Sequence, residues 1–360
     1  MSGPVPKRSI LEIEPYRAGR AAAPGVARPI KLSANENALG CSPAARAAYI
    51  EAADTLHLYS DPRANLLREA LAARHGLDPA RIVFGTGSDE LFSMACQAYL
   101  APGENIVQPQ YAFAAWAIAA RAVGGAVKSA PERDYTVDVD AMLAAVDAQT
   151  RILFVANPAN PTGTCLPQSE IVRLHAGLPE NVLLILDHAY AEFAEGEARE
   201  LWALSEAPNV LITRTFSKLY GLAALRVGWG YACAGVAGVL NRIRLPFNLS
   251  VPAQAAALAA LDDDAFVQRS VNHAKEARAE LSALFEGFGW RPLPSAANFV
   301  TVRIPEGARL SVAEIDAALT ARGILVRGLS PYRMPDCLRV SAGSFDELRQ
   351  LRDALHEIVG

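Results

Sequence analysis

Between residues 214 and 228 the chain reads RTFSKLYGLAALRVG, and Lys218 stands there between the apolar runs VLIT (210–213) and LAAL (222–225). An ammonium held between apolar runs is costly to bury unless a partner or covalent chemistry employs it. Four other groups bear on what that chemistry could be. Asn157 closes the run RILFVAN, Asp187 closes NVLLILD, Tyr190 follows three residues later, and Arg226 comes eight residues after Lys218. The stretch GTGSDE (85–90) follows another apolar run, RIVF. Each has a plain structural reading. An Asp after an apolar run is often a helix cap or a turn residue. NPANPTG (157–163) alone is a Pro/Asn turn. GTGS lacks the third glycine of a dinucleotide fingerprint, because Glu90 stands there, and no GxxxxGK[ST] loop exists. Their order and spacing carry more than any one of them: a nucleophilic amine, a carboxylate, a phenol, an amide and an anion cradle follow in series.

The elements that must position these groups are apolar runs of strand character alternating with helical stretches. The runs begin near 81, 105, 151, 181, 209 and 227, with SDELFSMACQAYL (88–100) and LPQSEIVRLHAGL (166–178) among the helices. Fully apolar strands alternating with helices predict an α/β fold with a mostly parallel sheet covered on both faces. In such sheets ligands gather beyond the carboxyl ends of the strands, which is where Asp187, Asn157, Lys218 and GTGSDE fall. One cofactor asks for all of them. Pyridoxal phosphate needs a lysine for a Schiff base and a carboxylate beside its pyridinium nitrogen, with donors near its phenolic oxygen and a phosphate cradle.

Composition narrows the class. About half of the 360 residues are apolar and the formal net charge is −4, which suits a globular enzyme and argues against nucleic acid as a partner. No apolar run reaches the ~20 residues of a membrane span, and the N-terminus shows no apolar core of a signal peptide. Five scattered cysteines, never in a CxxC pair, fit a reducing cytoplasm without disulfides or zinc.

The chain resembles the fold-type I pyridoxal-phosphate aminotransferases, and within them the histidinol-phosphate aminotransferases. The likeness runs nearly end to end, through LSANENALG (32–40), LYSDPRANLLREALA (58–72), GTGSDE, NPANPTGT, DHAYAEF (187–193), RTFSKLYGLAALRVGWGYA (214–232), ANFV (297–300) and LRVSAG (338–343). It implies a large domain with a seven-stranded, mostly parallel sheet over 41–265, a small α/β domain over 266–360, and an N-terminal arm, 1–40, packing with the small domain and a neighbouring subunit. It implies that Lys218 holds the cofactor and shuttles a proton, and that Asp187 keeps the pyridine nitrogen protonated. Asn157 and Tyr190 then face the phenolic oxygen. Thr215, Ser217, Arg226, Gly87, Ser88 and Asp89 hold the phosphate, the last three through a helix N-terminus. Phe113, rather than Tyr111, falls where the family stacks a ring on the cofactor. Tyr59 resembles a tyrosine that reaches the cofactor phosphate of a second subunit, which implies a homodimer with shared sites.

On the substrate side, the resemblance places Arg339 at the substrate's anionic end, since arginine matches carboxylate or phosphate with a planar fork. Arg327 and Tyr16 match residues that take the phosphate of histidinol phosphate, and Asn35 lines the approach. The implied reaction is histidinol phosphate with 2-oxoglutarate, in histidine synthesis. Two departures leave the donor open, with phenylalanine or tyrosine, or decarboxylation of an amino-acid phosphate, as alternatives. His188 replaces the glutamate of the common DEAY pattern; one residue past a strand end it points away from Asp187 and reads as structural. SPYRMPDC (330–337) replaces a glycine-rich run and adds Arg333 near the pocket. A regulator that senses the cofactor would need a DNA-binding domain and a basic patch, and a dehydrogenase would need the missing glycine.

Overall fold

The computed structural model describes residues 3–16, 18–194 and 201–360. Seven strands form the main sheet: β1 (Ile82–Gly85), β2 (Asn105–Pro109), β3 (Ala126–Ala130), β4 (Thr150–Ala156), β5 (Leu183–Asp187), β6 (Val210–Thr215) and β7 (Gly228–Ala232). Their spatial order is β1-β7-β6-β5-β4-β2-β3. The contacts among β2 to β6 are parallel, and β7 runs antiparallel to both its neighbours. The central strands are buried along their whole length, which is why they read as unbroken apolar runs. The edge strand β3, AVKSA, is half exposed and left no such run.

This sheet is α/β, mostly parallel and seven-stranded, as the resemblance implied. Its register brings the chemistry-bearing residues level with one another. Asp187 pairs with Ala156 on one side and Thr213 on the other, while Gly228 lies between Thr215 and Gly85.

A second, antiparallel sheet follows, from β8 (Arg291–Pro292), β9 (Phe299–Arg303), β10 (Arg327–Leu329) and β11 (Met334–Ser341), in the order β8-β9-β11-β10. Its core is separate, built from residues such as Val300, Val340, Leu319 and Leu351. The helix Asp264–Gly287 joins the two bodies: Val267 and Ala274 pack into a core beside the main sheet, Leu281 and Phe285 into the second. The boundary expected at 265/266 falls on the second and third residues of that helix. Of the N-terminal segment, Ile30 and Lys31 pair in parallel with Ile324 and Leu325, tying it to the second body.

Candidate active site

The carboxyl ends of β5 and β6 place an acid and an amine around one cavity, which Asp187 and Lys218 both line. Asp187 is buried, and its Oδ1 accepts a hydrogen bond from the Ala189 amide at 3.1 Å. Burial raises this carboxyl to about 7, with the Asp89 carboxylate adding to the rise. Lys218 lies three residues past β6, partly buried. Its Nζ donates to the Ala34 carbonyl at 3.2 Å and lies 5.7 Å from the centre of the Tyr190 ring. Burial and then the Arg339 guanidinium lower this amine to about 8, so a fraction is neutral and nucleophilic near neutral pH. Tyr190 is buried with its hydroxyl accepting from Asn35 Nδ2 at 2.9 Å, and burial raises its pKa. Asn35 itself is held at φ +56 by the Ser341 hydroxyl, which accepts from its amide at 2.8 Å, and by Asn298 Nδ2 at 3.0 Å.

An anion cradle forms where β7 backs onto the helix Ser88–Tyr99. A Cβ on Gly228 would come 2.2 Å from the Ser88 nitrogen, and one on Gly87 (φ +84) would come 2.2 Å from Arg226 Nη2. Only glycine lets the strand, the helix N-terminus and the guanidinium converge so closely. Arg226 Nη1 donates to Ser217 Oγ at 3.2 Å, its Nη2 to Asp89 Oδ2 at 3.2 Å, and Thr215 Oγ1 accepts from the Ser217 amide at 3.1 Å. Backbone N–H groups at the start of a helix, two hydroxyls and a guanidinium are a fitting set for a phosphate monoester.

The opposite end of the cavity is cationic. Arg339 is buried, donates to Asn160 Oδ1 at 2.5 Å and to the Ser33 carbonyl at 3.0 Å, and its Nε has no hydrogen-bond partner among the described residues. Arg327 Nη1 donates to the Ala18 carbonyl at 2.8 Å. Tyr16 meets Phe113 edge-on, ring centres 6.3 Å apart, and its phenol is raised to about 12 by burial and by the neighbouring Tyr332. An amine, a buried acid and anion sites at both ends describe a cavity for carbonyl–amine chemistry on anionic molecules.

The family described as aminotransferase class I and II matches residues 27–355. The chain belongs to that family. It is 47% identical over 358 residues to histidinol-phosphate aminotransferase 1 of Caulobacter vibrioides, covering 99% of this chain and 100% of the relative. It is 46% identical over 357 residues to the histidinol-phosphate aminotransferase of Rhodospirillum centenum, covering 99% and 98%. The crystal structure of the Sinorhizobium meliloti histidinol-phosphate aminotransferase, in complex with pyridoxal-5'-phosphate, superimposes with a TM-score of 0.88 at 32% identity, covering 92% of this chain and 91% of that one.

Within this aminotransferase, the structure brings most of the expected residues to the cavity wall, and leaves Asn157, Gly87 and Tyr59 off it. Asn157 is buried but does not line the cavity. Its Nδ2 donates to the Leu166 carbonyl at 3.0 Å and its Oδ1 accepts from the Leu166 amide at 2.7 Å, so both ends of the side chain tie the 157–166 loop to itself. Asn160, three residues on in NPANPTG, lines the cavity in its place. Sequence reasoning missed it because two Asn-Pro pairs offer the same signal.

Phe113 lines the cavity, whereas Tyr111 stacks on Tyr135 at 5.5 Å and does not. His188 is buried, off the cavity, and pushed down to about 3 by burial and by Arg214, so it is uncharged. Arg333 is exposed and lines a neighbouring groove. Tyr59 is 84% exposed and stacked on Phe247 at 4.6 Å, outside the cavity of its own chain. Tyr332, unremarked in the sequence, is buried and lines the cationic end.

Proposed function

We propose that this aminotransferase uses pyridoxal phosphate to move the amino group of histidinol phosphate to 2-oxoglutarate, giving imidazole-acetol phosphate and glutamate. The observation that carries the substrate reading is Arg339, a buried guanidinium that lines the same cavity as Arg327 and Tyr16. Its lowered pKa follows from burial, and an anionic substrate supplies the missing counter-charge. When bound, the cofactor ring takes up the electron pair left as the substrate Cα–H bond breaks.

The chain's own residues do the rest. Lys218 would hold the cofactor through its amine and would carry the proton at the substrate carbon. Asp187 holds the proton on the ring nitrogen. Tyr190 and Asn160 take the phenolic oxygen, Phe113 covers a ring face, and Thr215, Ser217 and Arg226 with the amides of Gly87, Ser88 and Asp89 hold the phosphate. Asn35 orients Tyr190 and borders the substrate.

We read the chain as an arm (1–40), a large domain (41–265) and a small domain (266–360), working in the cytoplasm as a homodimer. The exposed ring of Tyr59, stacked on the exposed Phe247 and next in the chain to the exposed Leu58, supports a partner surface there. A donor panel of histidinol phosphate, phenylalanine and tyrosine, each with 2-oxoglutarate, tests the reading. The highest kcat/KM for histidinol phosphate supports it; preference for an aromatic amino acid replaces it with an aromatic aminotransferase.

A further inference from the structure

Tyr332 lies at the cationic end of the cavity and ends the short helical turn Ser330–Tyr332 that joins β10 to β11. Its placement is well fixed. The ladder slips between Gly328 and Leu329, and Arg333 then turns the chain at φ +63, a conformation non-glycine residues seldom adopt. Such turns persist where the surroundings over-determine them, often where a side chain must be aimed. The ring of Tyr332 faces Arg327, whose guanidinium carbon is 6.0 Å from the ring centre, within reach of a cation–π contact. Its phenol is close enough to Tyr16 to raise that residue's pKa.

One anion site must serve two substrates of different shape. A planar carboxylate is met by the fork of a single arginine. A phosphate monoester presents three terminal oxygens arranged tetrahedrally, so its third oxygen lies out of the plane of that fork. A donor is needed there, and a third cation would work against Lys218, whose amine is already lowered by burial and by Arg339. A phenol donates without adding charge.

We propose that Tyr332 is a specificity-determining residue, its hydroxyl donating to a phosphate monoester held on Arg339 and Arg327 but not to the carboxylate of the keto-acid co-substrate. It thereby sets the preference for phosphate at a site both substrates share. The proposal rests on histidinol phosphate as the donor.

Tyr332→Phe keeps the ring against Arg327 and removes only the hydroxyl. With the holoenzyme, the two half-reactions are followed separately in single turnovers, and inorganic phosphate is tested as a competitive inhibitor of the glutamate half-reaction. The expected result is a fall of roughly 10- to 100-fold in kcat/KM for histidinol phosphate, mostly in KM, with a far smaller change for 2-oxoglutarate and a matching rise in the phosphate inhibition constant. Tyr332→Leu, lacking the ring as well, should lose histidinol phosphate further. An equal loss in both half-reactions, or an unchanged phosphate inhibition constant, overturns the proposal. If the parent fails to use histidinol phosphate, the functional reading falls, and the phosphate inhibition constant alone still decides the role of Tyr332.

Discussion

Arg327 and Arg339 are direct partners across the antiparallel ladder of β10 and β11. Side chains of opposed residues leave a sheet on the same face, and both guanidiniums line the cavity that holds Lys218. Two like charges set opposite each other are destabilising unless an anion comes between them. An anion reaching the cavity would lie between two guanidiniums, and the two arginines differ in burial. Arg339 is 6% exposed, while Arg327 is half-buried at the rim.

That difference predicts unequal substitutions. Arg339→Ala should weaken histidinol phosphate, phenylalanine and 2-oxoglutarate alike. A hydrogen bond to a charged group is worth about 1.5–3 kcal/mol, so the loss in kcat/KM should be roughly 10- to 150-fold. Arg327→Ala should harm histidinol phosphate more than phenylalanine, because phosphate has acceptor oxygens left for a second arginine. Steady-state kinetics of both variants on the three substrates provide the check; equal effects of Arg327→Ala on histidinol phosphate and phenylalanine would count against a phosphate site.

Asp187 predicts a pH dependence. Its carboxyl is raised from 3.8 to about 7 in the fold. Between those values the folded, cofactor-free chain binds more protons there than the unfolded chain does. Its contribution to stability therefore weakens as pH rises from about 4 to 7 and levels off above. A pyridinium charge beside the carboxylate reverses the cause. The rise in Tm on adding pyridoxal phosphate should be larger at pH 7.5 than at pH 5.5 in the parent, and Asp187→Asn should lose most of that difference. Asp187→Ala should also cost several orders of magnitude in kcat, as an unprotonated ring is a poor electron sink.

The two asparagines of NPANPTG give a third prediction. Asn160→Ala should shift the cofactor's visible absorption and lower kcat, because Asn160 borders the cavity and accepts from Arg339. Asn157→Ala should act through stability, lowering Tm with a much smaller effect on the spectrum, because its amide serves Leu166. The reverse pattern would restore the role first expected of Asn157.

This pair also marks where the sequence stops being legible. The central strands could be read because burial on both faces leaves unbroken apolar runs, and the ends of β5 and β6 located Asp187 and Lys218. The edge strand β3 could not, since Lys128 and Ser129 face partly outward. Asn157 and Asn160 share residue type and neighbours, and only the closure of the loop on Leu166 separates them. Tyr332 gave no signal because its position depends on a register slip and a left-handed arginine, neither of which has periodicity.

The proposed homodimer, with Tyr59 reaching the neighbouring site, predicts complementation. Tyr59→Ala and Lys218→Ala homodimers should each be impaired. Unfolded and refolded together, they should regain part of the parent activity, because a mixed dimer rebuilds one intact site. No recovery, with mixed dimers present by mass spectrometry, would place Tyr59 outside the neighbouring site.

The central claim is that Lys218 is the amine that holds the cofactor. The chain has five lysines, 7, 31, 128, 218 and 275. Lys31 is paired with Glu36 at 2.7 Å and Lys128 with Asp147 at 2.5 Å, and Lys218 is the lysine that lines the cavity among the described residues. Borohydride reduction of the yellow holoenzyme followed by tryptic mapping tests it directly. The expected result is the reduced cofactor on the single peptide spanning Thr215 to Arg226, uncleaved at Lys218, and no covalent label in Lys218→Ala. A label on Lys7, Lys31, Lys128 or Lys275 in the parent would contradict it.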